Sequence, residues 1–555
     1  MNALKTLFFI CLFLLIFLII FPLVSLLQAS FTTAPPGVWT TEYSLDNWIG
    51  VLSRAYYYRI VSNTFFVGVG ATLLCTVLGL SLAWIISKTN VPYASILEQL
   101  VIIPYYIPPF VGAMAWVTLL GPEAGFINYL LKPLIGGPLF NIYSIPGLIL
   151  VLGFYYTPIL FLICASAFRS IDATIEEAAA MSGAGRLATL LRITLPSILP
   201  AIVGGIVLTF TLVIEDFGAS AIIGMPSNIY VLSTYIYSLL SQAPPSYGSG
   251  TVSATILIAI AAAGVFLYTR LTRYSRRYVT IVGRIYRPKV TDLGRWKYLA
   301  LAFCVCYIIL STFLPLFGLL LSSFLRYYAP TLESFSFYNW EAIFSSPKVS
   351  RAISNTLLIA TLGATIGVFF SLIISYLVYR TDLPKRHILD YFSSLPLGIP
   401  GIALASALLW IWVRMPGALY GTIWLLLIAY LTRFLPHATR TASSTLIQIH
   451  PELEESATMC GASRLRTIRL IVIPLAKYGL LSGWTLLFIM FTREIACSIL
   501  LYSTQSIVLS VAIFNMWEAG STGMMSALSI IQIALIFIPL FAVYKITRRL
   551  AYYGW

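Results

Sequence analysis

The chain is 555 residues long, 59% hydrophobic and only 10% charged. A soluble domain carries about 25% charged residues, so the composition excludes an ordinary soluble enzyme and points to the bilayer. The formal net charge of +15 does not mark a nucleic-acid binder, because Lys and Arg gather in short loops between apolar runs, as in loops retained in the cytoplasm.

Apolar stretches of about 20 residues, enough to cross the hydrocarbon core as a helix, recur along the whole chain. The alternating ten-residue strands of a barrel are absent. The expectation is an all-α polytopic membrane protein with about twelve spans. In the first half they fall at roughly 7–27, 64–86, 100–120, 145–168, 198–218 and 252–270. The opening apolar run is longer than a signal-peptide core and shows no small-x-small cleavage site, so it reads as a retained first helix. In the second half the spans fall at roughly 298–321, 356–379, 390–412, 421–436, 475–492 and 525–544, the tenth being short.

The seven cysteines lack metal-ligand spacing and read as packing residues. Between Arg270 and Lys297 nine basic residues face one acid, Asp292. Such a segment stays in the cytoplasm, and counting six spans either way puts both chain termini there too.

The second half repeats the first. Asn47-Trp48 matches Asn339-Trp340, "SNT" at Ser62–Thr64 matches "SNT" at Ser354–Thr356, and Pro104 and Pro108 match Pro396 and Pro400, all at an offset of 292. Six spans per half give both copies the same topology, so the repeats are parallel. The division expected is 1–285 and 286–555.

Two polar passages interrupt this apolar chain. "EEAAAMSGAGRLATLLRITLP" runs from Glu176 to Pro196 and "EESATMCGASRLRTIRLIVIP" from Glu454 to Pro474, now at an offset of 278. About fourteen residues are therefore missing from the second half between its third and fourth spans. Each passage reads as a short helix, capped in the first copy by Ser170 or Asp172, ended by a glycine and followed by a second helix entering the next span. Alanines at 178–180 leave a smooth face that another protein can approach closely. Arg186 and Arg464 occupy equivalent places and could pair with partner acids or with Glu177 and Glu455.

This pattern resembles the EAA loop of binding-protein-dependent ABC importer permeases. It fits at Glu177, Ala178, Ala179, Gly183, Ile193, Leu195 and Pro196, and more loosely at Glu455, Ser456, Ala457, Gly461, Ile471, Ile473 and Pro474. The fused two-half arrangement is most similar to the ferric-iron permeases, with thiamine permeases as near relatives. The resemblance implies a type I ABC importer permease fold in the cell inner membrane. It implies that the loops at about 170–196 and 448–474 are coupling helices seated on two copies of a separate ATPase. Glu176, Arg186, Glu454, Ala457 and Arg464 then join the coupling set. A substrate-binding protein would deliver the cargo, ferric iron first, with thiamine, polyamine or phosphonate as alternatives. No G-x-x-x-x-G-K-[ST] occurs, so ATP and magnesium are expected in the partner and no cofactor or metal on this chain.

Ionisable residues within spans suggest function. Glu215 and Asp216 end span 5, about 22 Å beyond Pro200 along a helix and so towards the outer side. Arg493 and Glu494 hold the matching place in span 11. Either pair reads as a gate or cargo contact, or as an interhelical ion pair or interfacial anchor. Tyr105 and Tyr106 offer phenols beside the proline breaks and read as cargo contacts along the pathway or as interfacial aromatics. Asn63 and Asn355 read as caps or cross-helix bonds, and Arg433 and His437 as structural residues at the cytoplasmic end of span 10. Long outer segments at about 28–62, 322–353 and between spans 5 and 6 read as landing surfaces for a binding protein or as ordinary aromatic interface anchors. An ion-coupled secondary transporter would not need two glycine-broken polar loops. A membrane enzyme would need a metal or nucleophile cluster, and only His387, His437 and His450 exist.

Overall fold

The computed structural model describes residues 2–36, 38, 42–275, 290–326, 334–413 and 419–552. In chain order, the helices of the first half are α1 (Leu4–Ser30), α2 (Ala55–Lys88), α3 (Ala94–Tyr106), α4 (Pro109–Leu120), α5 (Phe126–Ile135), α6 (Ile145–Arg169), α7 (Ala173–Met181), α8 (Leu190–Glu215), α9 (Gly218–Gly224), α10 (Leu232–Ser241) and α11 (Tyr247–Ser275). Those of the second are α12 (Gly294–Ser323), α13 (Pro347–Arg380), α14 (His387–Gly398), α15 (Gly401–Trp412), α16 (Ile423–Gln448), α17 (Glu452–Met459), α18 (Arg464–Thr492), α19 (Ser498–Leu501), α20 (Leu509–Glu518) and α21 (Thr522–Tyr552).

Among the described residues, nine helices are long and apolar enough to cross a membrane, or eleven if each bent pair counts as one span. The bent pairs are α3–α4, turned by 96°, and α14–α15, turned by 104°. Pro108 and Pro400 sit at these bends, where a residue without an N–H cannot continue the helix. The tenth expected span corrects the sequence reading: it is not short. As α16 it runs 26 residues to Gln448, and Arg433, His437 and Arg440 make it less apolar than the rest.

A second consequence of proline recurs four times. Pro22, Pro196, Pro315 and Pro474 each follow a five-residue π turn, in which the N–H of Phe21, Leu195, Leu314 or Ile473 donates to the carbonyl five residues back. A proline ring crowds the carbonyl four residues earlier, and the wider turn makes room for it. The four sites are two pairs of equivalent positions, so the repeat extends to helix irregularities.

The chain forms two compact units, and they cut it differently from the sequence halves. One comprises residues 1–53, 236–258 and 338–555, the other 54–235 and 259–337. In the second, α2, α6 and α8 pack on one another and α12 lies against α4. In the first, α13, α16 and α18 form the same three-helix core, and α1 lies against α15. Each unit thus includes the first helix of the other half.

Five of the seven cysteines are buried, but Cys306 and Cys460 are exposed, so packing accounts for only five.

Candidate functional site

Each polar passage folds as expected. Asp172 Oδ1 accepts from Thr174 N at 2.9 Å and caps α7. Gly183 and Gly461 end α7 and α17 at φ +82° and +79°. A Cβ at either would meet nothing within 4 Å, so the backbone angle, not space, calls for glycine.

The base of each helix is held by an ion pair that the sequence reading missed. Lys88, the last residue of α2, lies 3.2 Å from Glu176 Oε2, with its side chain only 2% exposed. Thr194 Oγ1, within the π turn, donates to Glu176 Oε1 at 2.9 Å. In the second copy Arg380, the last residue of α13, lies 3.3 Å from Glu454 Oε1. Tyr376 Oη donates to Glu454 Oε2 at 3.0 Å. Arg380 Nη2 also donates to the carbonyls of Leu446 and Ile449, tying the end of α16 to the same point. Beneath this network Leu372, Leu446, Val472 and Ala476 form an apolar cluster. The repeat contained the signal: Lys88 and Arg380 are equivalent at the offset of 292, as Glu176 and Glu454 are at 278.

The first glutamate of each doublet is therefore committed inside the chain, while Glu177 and Glu455 are exposed. Beside them Met181 and Met459, again equivalent, are 90% and 89% exposed. Ile175 and Leu453, another equivalent pair, are about half exposed. Ala179 is buried, Ala178 and Arg464 are exposed, and Ala457 is half-buried. Pro196 and Pro474 are exposed. Arg464 does not enter the Glu454 pair, and the side chain of Arg186 lies outside the described residues. Each passage presents large apolar and anionic groups to its surroundings from a fixed base.

The acids at the ends of spans 5 and 11 are built into the backbone. Asp216 Oδ2 accepts from the N–H of Ala219 and Ser220 at the start of α9, and Tyr156 Oη donates to Oδ1 at 3.3 Å. Glu494 Oε1 accepts from Cys497 N at 2.7 Å and from Arg433 Nη1 at 2.6 Å. Ser233 and Ser510, equivalent residues, donate to the carbonyls of Asp216 and Glu494. These carboxylates cap short helices that follow a broken span. Glu215 is buried and Arg493 half-buried beside them. Tyr105 and Tyr106 are half-buried, with their rings edge to face at 5.7 Å.

Arg433 corrects its sequence assignment. It sits fifteen residues before Gln448, about 22 Å along α16 from the end that leads to the polar passage. There its guanidinium fills the space beside Gly401, where an added Cβ would fall 1.8 Å from Nη1. Asn63 and Asn355 donate across helices, to Tyr230 O and to Gln505 O and Ile507 O. Thr64 and Thr356 accept from Leu232 N and Leu509 N, fixing the starts of α10 and α20 identically.

Among the described residues no three His, Cys, Asp or Glu side chains form a group that could hold a metal ion.

Known proteins resemble this one along most of its length. The ferric transport system permease protein FbpB of Actinobacillus pleuropneumoniae is 26% identical over 89% of this chain and 72% of its own. The Fe(3+)-transport system permease protein FbpB 2 of Haemophilus influenzae is 24% identical over 91% and 93%. A solved bacterial alginate ABC transporter in complex with its pentasaccharide-bound periplasmic protein aligns with a TM-score of 0.39 and 22% identity, over 47% of this chain and 88% of that one. The family model described as the binding-protein-dependent transport system inner membrane component matches twice, at residues 75–280 and 367–552. The chain belongs to that family, as a permease with two copies of the module in one polypeptide.

Proposed function

We propose that the chain is the permease of an ATP-driven importer of ferric iron, with α7 and α17 each seated on one copy of a separate ATPase. The observation that carries this reading is the duplicated construction of the polar passages. A helix pinned by a buried ion pair to the end of a long span moves with that span. An exposed methionine, an exposed carboxylate and a glycine end give a partner something to grip. Methionine suits such a contact because it is flexible and polarizable.

Iron as the cargo draws on the ferric permeases similar along most of the chain. The similarity to the spermidine/putrescine permease PotC of Haemophilus influenzae covers only 40% of the chain. In this reading the passages and both termini face the cytoplasm of a cell inner membrane, and a binding protein lands on the outer segments. Residues 276–289, which carry most of the basic linker, and residues 37, 39–41 and 327–333 of the outer segments lie outside the described residues.

Co-expression with a candidate ATPase tests the assembly. The complex should purify with two ATPase chains per permease, and ferric-loaded binding protein should stimulate its ATP hydrolysis in proteoliposomes. A permease that purifies alone, or a complex stimulated only by a protein loaded with another cargo, would overturn the corresponding part.

A further inference from the structure

The two halves differ in the connection that follows the bent pair. Residues 121–144 join α4 to α6, whereas 413–422 join α15 to α16, fourteen residues fewer, which accounts for the change of offset from 292 to 278. The extra length contains α5. On a helix in water the polar side faces out, and α5 does the reverse. Its Asn128 is buried: Nδ2 donates to the carbonyls of Gly121 at 2.9 Å and Phe140 at 2.8 Å, and Oδ1 accepts from the N–H of Leu139 and of Phe140. These bonds clamp the connection to the end of α4. Leu130 and Leu134, one turn apart, are 70% and 81% exposed, and Ile135, Leu139 and Phe140 extend the exposed apolar stretch. Lys132 is the single charged residue between Ala124 and Ser144.

The length of α6 says what covers this face. α6 runs 25 residues from Ile145 to Arg169, about 37 Å, and its far end leads into the polar helix α7. The hydrocarbon core is about 30 Å thick. With α7 at one surface of the bilayer, the residues just before Ile145 lie at the depth of the opposite head groups. The end of α4 is at the same level, because Ile142 N–H donates to Leu120 O at 3.4 Å. An apolar helix face left uncovered at that depth meets acyl chains, while a lysine can keep its stem in the interface and its ammonium at the phosphates. We propose that α5 is an interfacial helix, seating Leu130 and Leu134 in the leaflet opposite the polar passages, with Lys132 at the head groups. Through Asn128 it ties the end of the bent α3–α4 pair to that leaflet, using residues that have no counterpart in the sequence of the second half. The partner is the lipid surface, whichever cargo the permease carries.

The test places nitroxide labels on the full chain in nanodiscs of phosphatidylethanolamine and phosphatidylglycerol. Cys306→Ser/Cys460→Ser removes the two exposed thiols, and single labels then go on Leu130→Cys and Leu134→Cys. Leu73→Cys, at an exposed position within the α2 span, supplies the lipid reference, and Glu123→Cys, exposed ahead of α5, the water reference. Power saturation should show the labels at 130 and 134 relaxed more by molecular oxygen, which partitions into lipid, than by a water-soluble nickel chelate. They should match Leu73→Cys and not Glu123→Cys. Labels as open to the chelate as that at 123 overturn the proposal. So do labels open to the chelate until a substrate-binding protein is added and shielded afterwards, which would give the face to a protein partner. In a second variant, Leu130→Glu, the label at 134 should lose its preference for oxygen, whereas Leu130→Phe should keep it. A preference that glutamate leaves unchanged shows that the leucines do not seat the helix, and also overturns the proposal.

Discussion

At the scale of single residues, the informative positions are the two glutamates committed to buried cations. Removing one partner of a buried pair leaves an uncompensated charge and costs about 3–5 kcal/mol, whereas an apolar pair of similar volume can be nearly neutral. Glu176→Ala should therefore destabilise the chain more than Lys88→Met/Glu176→Leu. A double-mutant cycle read by thermal unfolding in detergent would show it, and additive costs would count against a direct pair. Gly183 and Gly461 make a different prediction. Because open space surrounds both, a β-branched residue suffers from the left-handed backbone, by about 1–2 kcal/mol, and not from a clash within the chain. Gly461→Asn should retain more transport than Gly461→Val, since asparagine tolerates that conformation. Equal loss in both would point to the partner surface as the constraint.

At the scale of elements, the π turns ahead of Pro196 and Pro474 set the angle at which each polar passage meets its span. Converting a π turn to an α turn shifts the register by one residue, which rotates what precedes it by about 100°. Thr194 would then swing away from Glu176. Pro196→Ala should lower cargo moved per ATP hydrolysed while membrane insertion is kept. The coupling energy between Lys88 and Glu176, measured by the same double-mutant cycle, should shrink in the Pro196→Ala background. The proline itself is plain in the sequence, but its effect is not. The same residue type follows a π turn at Pro196 and sits at a sharp bend at Pro108.

For the molecule as a whole, the distribution of helices between the two units carries the prediction. The unit containing α13–α21 also contains α1, which lies against α15. Residues 286–555 expressed alone lack that cover and should aggregate or migrate as several species in detergent. Co-expression with residues 1–285 should restore a single species. A monodisperse isolated second half would contradict the trade of first helices.

The sequence by itself determined the membrane class, the duplication and the place of both polar passages. Apolar length and local motifs are properties of contiguous residues, and any copy of them is visible as a copy. Even the capping role of Asp172 could be read locally. What the tertiary structure alone decided involves residues far apart in the chain. Lys88 meets Glu176 and Arg433 meets Glu494 only because long helices lie side by side, and a helix exposes no sign of which neighbour it will take. The same ignorance hid the length of α16, whose charges look like an end until Glu494 is found beside Arg433. It also hid the exchange of first helices, since hydrophobic faces of similar composition do not announce their partners; packing complementarity between distant segments does.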